Sequence, residues 1–277
     1  EANDIVVMGT RLYFEANDGS SGLELWAHET TNDSTWLVTD TYAGSGSGFA
    51  NGITTMGTRL YFEAFDTTSG YELRAHETTN GSTWLVNDIW SGIGAGRADN
   101  IAVMGTRIYF EATDSSNGYE LRAHETTNDS TWLVVDTYSG STSGYADYIT
   151  VIGTRIYFEA RDGSSGYELR AHETTNSSTW VAAEIHTTGN GFAEGITASG
   201  NLLYFQATDG STGNELWAHD TTTDETWQLA DICSGSCNGN PSEFTPMGDQ
   251  IYFQANDGTT GHELWIYGII EHTITYN

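Results

Sequence analysis

Six acidic turns carry the residues best suited to chemistry. Asp18 and Glu24 in DGSSGLE, Asp66 and Glu72 in DTTSGYE, and Asp114 and Glu120 in DSSNGYE share one spacing. Asp162 and Glu168 in DGSSGYE, Asp209 and Glu215 in DGSTGNE, and Asp257 and Glu263 in DGTTGHE repeat it. Asp, a hydroxyl two positions on, and Glu six positions on are hard oxygen donors of the kind Ca2+ takes. The spacing is not that of an EF-hand loop. The same residues also have an architectural use, Asp capping its own turn and Glu bonding backbone amides. Spacing alone leaves both uses open. Ca2+ is the one cofactor the sequence suggests, and nothing in it requires one.

Other groups recur in the same way. His28, His76, His124, His172 and His219 occupy one repeat position. One imidazole per repeat is too widely spread to share a metal, so packing or hydrogen bonding between neighbouring repeats is expected. Asn32, Asn80, Asn128 and Asn176 stand in TTNDST, TTNGST, TTNDST and TTNSST, each an Asn-x-Ser acceptor for N-glycosylation in an extracellular protein. The competing use is a tight turn. Cys233 and Cys237, in DICSGSCNGN, cannot by themselves make a four-ligand zinc site. A small disulfide loop and an oxidising compartment are expected, with two reduced thiols as the alternative.

A catalytic set has to break the repetition. The outliers Phe65, Trp90, Arg97, Arg161, His186 and His262 form no nucleophile–base pair and no paired carboxylates. There is no phosphate-binding Gly loop and no HExxH. On this reading the chain is not an enzyme.

The elements that position these groups follow from the repeat. The Tyr of each YF pair (Tyr13, Tyr61, Tyr109, Tyr157, Tyr204 and Tyr252) recurs at intervals of 48, 48, 48, 47 and 48. Within a repeat, short alternating runs such as RLYFEA and YELRAHE are bounded by Gly, Asn, Asp and Ser, the pattern of strands and turns. Four strands per unit in six units predict an all-β, six-bladed β-propeller of four antiparallel strands per blade. The blades fall near 1–48, 49–96, 97–144, 145–191, 192–240 and 241–277, in a single domain. An open solenoid fits less well, because no repeat looks like a cap.

The chain opens mid-repeat at the innermost strand and closes with EHTITYN, read as the outer strand of the sixth blade. Each blade is then one continuous unit, and ring closure rests on the sixth blade packing on the first. The mid-repeat start suggests a piece of something longer. Trp36, Trp84, Trp132, Trp180 and Trp227 read as wedges between blades. Trp26, Trp217 and Trp265 alternate with Arg74, Arg122 and Arg170 at another stacking position.

Composition bounds the partners. The 277 residues include 9 Arg, no Lys and 38 acidic residues, a net charge of −29. That field repels nucleic acid and anionic membrane, and no apolar run is long enough to insert into a bilayer.

LYFEANDGSSGLELW, LYFQATDGSTGNELW and IYFQANDGTTGHELW resemble the ELWxxDGTxxGT repeats of large bacterial and archaeal surface proteins. The strand plan is also similar to that of YWTD and NHL-type propellers, without the YWTD tetrapeptide. The chain departs from the first family after ELW, where HETTN stands in place of DGT. The resemblance implies a propeller, an extracellular surface role and no defined activity. It also implies that the GITTMG strand lines the central channel and that the TWLVND strand lies outermost.

The expected function is a non-enzymatic structural or adhesive unit of a cell-surface or filamentous assembly, glycosylated at its tips. It would self-associate in tandem or head to tail. The alternative is a lectin-like module binding cell-surface glycans between blades, through loops 42–52, 90–100 and 138–148. Each of these loops offers an aromatic residue beside Gly-rich turns.

Overall fold

The computed structural model describes residues 2–268 and the backbone of 274–276. All regular structure there is strand, in six four-stranded sheets. Sheet I comprises Ala2–Met8, Arg11–Asn17, Leu23–Glu29 and Ser34–Thr39. Sheet II comprises Asn51–Met56, Arg59–Asp66, Gly70–Glu77 and Ser82–Leu85, and sheet III Asp99–Met104, Arg107–Ala112, Glu120–Glu125 and Ser130–Val135. Sheet IV comprises Asp147–Ile152, Arg155–Asp162, Gly166–Glu173 and Ser178–Ala183. Sheet V comprises Glu194–Ser199, Leu202–Ala207, Glu215–Asp220 and Glu225–Ala230. Sheet VI comprises Ser242–Met247, Gln250–Asn256, His262–Gly268 and Ile274–Tyr276. Every sheet is an antiparallel meander in chain order, so each repeat makes one sheet. The expected outer strand of the sixth repeat is present as Ile274–Tyr276, while 271–273 and 277 lie outside the described residues.

The chain forms two compact units, Glu1–Gly144 and Tyr145–Asn277. In the first, Tyr13, Leu25 and Ala27 of sheet I pack on Ile53, Leu60, Phe62 and Ala64 of sheet II. Tyr61, Leu73 and Ala75 of sheet II then pack on Ile108, Phe110 and Ala112 of sheet III. The second unit repeats the scheme. Tyr157, Leu169 and Ala171 of sheet IV meet Ile196, Leu203, Phe205 and Ala207 of sheet V. Tyr204, Leu216 and Ala218 of sheet V meet Ile251, Phe253 and Ala255 of sheet VI. Side chains alternate along a strand, so in Leu-Tyr-Phe the Tyr faces the following sheet while Leu and Phe face the preceding one. Each second strand of the inner sheets is therefore buried on both sides.

The two ends of a sheet are built differently. One holds the two hairpin turns and will be called the hairpin end. The other holds the middle turn and the linker to the next sheet, and will be called the linker end. At the hairpin end, a Gly with φ near 60° (Gly9, Gly57, Gly105, Gly153, Gly200, Gly248) starts a two-residue turn. The second hairpin is tied to the first by Thr30 N donating to Thr10 O at 2.9 Å, and by the same bond at Thr78, Thr126, Thr174 and Thr221.

The repeated His lie as the sequence suggests. Nδ1 of His28, His76, His124, His172 and His219 meets a Thr Oγ1 at 2.8–2.9 Å. Rings of His76, His124 and His219 pack against Tyr13, Tyr61 and Tyr157 of the preceding sheet. The Trp of the fourth strand are only partly buried: Arg11, Arg59, Arg107 and Arg155 stack on Trp36, Trp84, Trp132 and Trp180 at 5.4–5.7 Å. Arg and Trp exchange in the third strand, and each type can reach the same carbonyl, while the indole nitrogens of Trp26 and Trp217 are buried without a partner among the described residues. Arg170 Nε donates to Ala160 O at 3.2 Å, and Trp265 Nε1 to the equivalent Ala255 O at 3.1 Å.

Candidate ligand-binding site at the linker end

The linker end is organised around a buried carboxylate. Glu24, Glu72, Glu120, Glu168 and Glu215 are 0% exposed. Glu24 accepts bonds from Thr41 N at 2.8 Å, Thr41 Oγ1 at 2.9 Å and Gly48 N at 2.6 Å, so it holds both ends of the linker. Gly48 O in turn accepts from Phe65 N of sheet II at 2.6 Å. The linker is thereby fixed to the sheet before it and the sheet after it. Glu72, Glu168 and Glu215 repeat this with amides of 89, 90 and 96, of 185, 186 and 191, and of 232, 233 and 239. Burial pushes Glu72, Glu168 and Glu215 up to about 7, against the opposing pull of these amides.

The Asp of each turn is engaged separately. Asp18 Oδ1 accepts the amides of Ser20 and Ser21 at 2.8 Å, and the other five cap their turns in the same manner. Asp66, Asp114 and Asp162 also pair with Arg74, Arg122 and Arg170. Asp and Glu of each turn thus serve different partners, and a guanidinium occupies the place beside three of the Asp. No group of three or more His, Cys, Asp or Glu is arranged to hold a metal among the described residues. Glu263, at the same position in the sixth repeat, is exposed. Asn32, Asn80, Asn128 and Asn176 are exposed at the hairpin end, where each side-chain oxygen accepts from the Ser two residues on. The turn-forming use is therefore realised at every acceptor site. Cys233 and Cys237 form a disulfide that closes the linker after sheet V.

Against this repeated frame, the residues that differ between repeats gather at the linker end. The last linker residue but one is Phe49, Arg97, Tyr145, Phe192 or Asn240, and each has a left-handed backbone, with φ between 46° and 63°. Bulky residues avoid that region unless the surroundings impose it. A second left-handed position, a bulge in the first strand, holds Asp4, Gly52, Asn100, Tyr148, Gly195 or Glu243. The ladder register jumps there, as between Asn51 and Thr54.

In the first unit these residues build a cavity of about 560 Å³ lined by Asp4, Asn51, Gly52, Glu63, Arg97, Asp99, Glu111 and Tyr119. Arg97 lies over the Tyr71 ring at 4.0 Å and 3.8 Å from Glu63 Oε1. Asn51 Nδ2 donates to the same oxygen at 3.3 Å. Burial raises the Glu63 pKa, and Asn51 and Arg97 oppose the rise. Beside the cavity, Tyr71 packs on Phe49 and Phe65, and Phe65 on Tyr42.

The second unit carries a related cluster. Arg161 lies over both Tyr145 and Tyr167, and Tyr167 stacks on Phe192 at 5.8 Å. Phe192 stands where Arg97 stands two repeats earlier, so Glu159 lacks the countercharge that Glu63 has. Burial, with Glu194 and Asp147 nearby, pushes Glu159 up to about 8.

Sequence reasoning marked Phe65, Arg97 and Arg161 as outliers without assigning them to sites. Phe65 and Arg97 belong to the cluster of the first unit and Arg161 to that of the second. The signal was available: Phe65 and Arg161 stand where the second strand runs into the middle turn and Arg97 stands on the linker, positions that belong to the linker end. The aromatics of the three linker loops play a smaller part than expected. Tyr42 and Trp90 fold over Gly46 and Gly94 of their own loops and remain 36% and 38% exposed.

No protein-family model matches the sequence, and no curated protein matches it. Solved structures do. TolB from Acinetobacter baumannii is similar at 14% identity and TM-score 0.56, over 96% of this chain and 62% of that one. A puromycin hydrolase mutant complexed with PGG is similar at 10% identity and TM-score 0.58, over 99% and 53%. A puromycin-hydrolysing peptidase of Mycobacterium tuberculosis is similar at 10% identity and TM-score 0.66, over 98% and 44%. The fold is accordingly a propeller-like array of β-sheets. This chain spans between 44% and 62% of the length of those proteins.

These likenesses correct one expectation. The sequence reading took the chain not to be an enzyme, yet the similar structures include a puromycin hydrolase and a puromycin-hydrolysing peptidase. That exclusion is withdrawn. At 10% identity the likeness carries the fold and establishes no activity for this chain. No helix among the described residues is long and apolar enough to cross a membrane.

Proposed function

We propose that this chain is an extracellular carbohydrate-recognition module of the propeller type, with its binding site at the linker end. One observation carries the reading. Nearly copied repeats keep their frame and vary the residues around one aromatic, arginine and carboxylate-lined cavity. Aromatic faces suit the apolar side of a sugar ring, and Asn51, Asp99, Glu63 and Arg97 offer acceptors and donors for its hydroxyls. Carboxylates outnumber the single Arg in the cavity lining. The ligand class is therefore a neutral or amino sugar, since an acidic one would meet both these groups and the net charge of −29.

The Cys233–Cys237 disulfide supports an extracellular setting. So do the exposed Asn-x-Ser tips and the resemblance to repeats of prokaryotic surface proteins. Within this reading each sheet is one blade, and the six sheets are the six blades expected from the repeat.

The test is glycan-array screening followed by calorimetric titration of the best hit. Arg97→Ala and Tyr71→Ala should each weaken binding about tenfold, near 1.4 kcal/mol. Arg107→Ala, at the hairpin end, should leave it unchanged. Absence of any retained glycan, or equal losses at Arg97 and Arg107, would overturn the reading.

A further inference from the structure

The two units treat one carboxylate position differently. In the first, Glu63 receives Asn51 Nδ2 at 3.3 Å and the Arg97 guanidinium at 3.8 Å. In the second, the same position is Glu159, and both donors are gone: Asp147 stands for Asn51 and Phe192 for Arg97. Glu194 matches Asp99, and Tyr148 stands where the first unit has Gly52. The exchange removes an amide and a guanidinium and adds a carboxylate, a phenyl ring and a phenol.

Glu159 is nevertheless only 5% exposed, and its Oε2 is buried with no hydrogen-bond partner among the described residues. Asp147 lies opposite it on the neighbouring strand, so both carboxylates leave sheet IV on one face. Glu194 opens the first strand of sheet V, which packs on sheet IV. The charged groups that act on Glu159 are Glu194, Asp147 and Glu168, all of them acidic. Tyr148 belongs to the same cluster: burial, with Glu194, Glu159 and Asp147 beside it, pushes its phenol up to about 12. The guanidinium of this region has changed places with a ring, since Arg161 and Phe192 stand where Phe65 and Arg97 stand. Arg161 lies over Tyr145 and Tyr167 at 5.3–5.4 Å. Phe192 stacks on Tyr167 and brings hydrocarbon to within two residues of Glu194.

A carboxylate at this depth without a donor is costly, and a cation carrying N–H groups removes the cost. The three carboxylates are not arranged to share a metal among the described residues. We infer that this cluster binds an organic ammonium ion, whose N–H groups take the place that the Asn51 amide and the Arg97 guanidinium hold in the first unit, and whose carbon body packs on Phe192. The aromatic and acidic groups together suit such a ligand. The site lies within the second unit and stands whether or not the first unit binds a sugar.

The experiment is a protein-observed NMR titration of the whole chain with cyclohexylammonium chloride at constant ionic strength, with cyclohexanol as the uncharged control. The ammonium should bind with a Kd on the order of 1 mM, as a ligand of so few atoms allows. It should shift the amides of Asp147, Tyr148 and Phe192, and leave those of Asn51, Gly52 and Arg97 in place. Cyclohexanol should shift neither set. Glu159→Gln and Phe192→Arg should each weaken binding at least tenfold. Arg is sterically acceptable at 192, because Arg97 holds the equivalent left-handed backbone, φ 54° against 51°. Asp33→Asn, which changes the net charge by the same amount at a side chain 96% exposed on the hairpin end, should leave binding unchanged. Melting temperatures confirm that each variant is folded, and either of the first two suffices for the test. No shift with the ammonium would overturn the inference. So would shifts centred on the first unit, equal shifts with cyclohexanol, equal weakening by all three variants, or Ca2+ displacing the amine at equal concentration.

Discussion

The hairpin and linker ends of the sheets divide the labour of the molecule. At the hairpin end, GTR and HETTN recur almost unchanged through the first four repeats, and the backbone bonds that tie the two hairpins close within one sheet. Its cavity, about 440 Å³ between sheets II and III, is lined by Arg59, Tyr61, Glu77 and Thr126, residues that every one of those four repeats carries. At the linker end, the carboxylate and its amides are constant, but the residues around them change from Phe to Arg to Tyr. Repetition fixes geometry, and variation placed on fixed geometry makes one location differ from the next. A cavity lined by recurring residues is a consequence of the frame, whereas one that adds changing residues such as Arg97, Asp4 and Gly52 to the recurring Glu63 and Glu111 is a candidate for recognition.

The contrast can be broken most sharply with glycine. Gly70 has φ +71°, and a Cβ there would run into the Gly94 carbonyl of the linker. Gly70→Val should cost about 3 kcal/mol or more, read as a fall in the urea midpoint. Gly81 has nearly the same φ, +73°, but open space around it, and Asp33, Asp129 and Ser177 fill its position in the other repeats. Gly81→Asn should therefore stay within about 0.5 kcal/mol. Equal losses at the two sites would show that backbone strain, not linker contact, sets the cost.

A smaller effect is expected for the buried carboxylate. Glu72→Gln keeps the shape but turns an amide NH2 toward backbone N–H donors, and should cost about 1–3 kcal/mol. Asn80→Ala at the hairpin end removes two exposed turn bonds, from Ser82 N at 2.9 Å and Ser82 Oγ at 2.6 Å, and should cost about 0.5 kcal/mol. Chemical denaturation of both variants checks the ratio.

Two sets of carboxylates should respond oppositely to pH. Glu72, Glu168 and Glu215 titrate near 7 when folded, against 4.5 in the reference state. The folded chain then binds more protons than the unfolded one in that interval, so stability falls as pH rises from about 5 to about 8. At the hairpin end, Glu77 and Glu125 are lowered to about 2 by Thr and Arg hydrogen bonds that outweigh desolvation. Their contribution is present above about pH 4.5 and is lost as pH falls toward 2. Melting temperature should peak on the acid side of neutrality, and Glu72→Gln should flatten only the alkaline limb. A monotonic profile would contradict the assignment.

Much of the frame was legible in the sequence because it is local. Strand alternation, the Gly turns, the Asp caps and the Asn turns each depend on residues within a few positions. The His positions were legible for a different reason: one imidazole per repeat leaves packing as its only economical use. The role of Glu24 was offered only as one of two options, because its partners lie 17 and 24 residues away on a linker whose path no local rule dictates. The left-handed backbone at Phe49, Arg97 and Tyr145 was hidden altogether, since nothing in those residue types announces it. The Trp of the fourth strand were read as full wedges. Their outer faces are covered by Arg from the same sheet, a pairing across strands that alternation alone does not reveal.

The carboxylate latch has a consequence for the order in which the chain acquires its structure. Glu24 is satisfied only when residue 48 has been made, and Gly48 O only when residue 65 has followed. On a ribosome each sheet is thus completed by the segment emerging just after it, and that segment is already positioned to nucleate the next sheet. Growth proceeds as a zipper with short loops to close at every step, which keeps the entropy of each closure low. A chain paused between repeats would expose one unfinished face at its growing edge, however many repeats it had already folded.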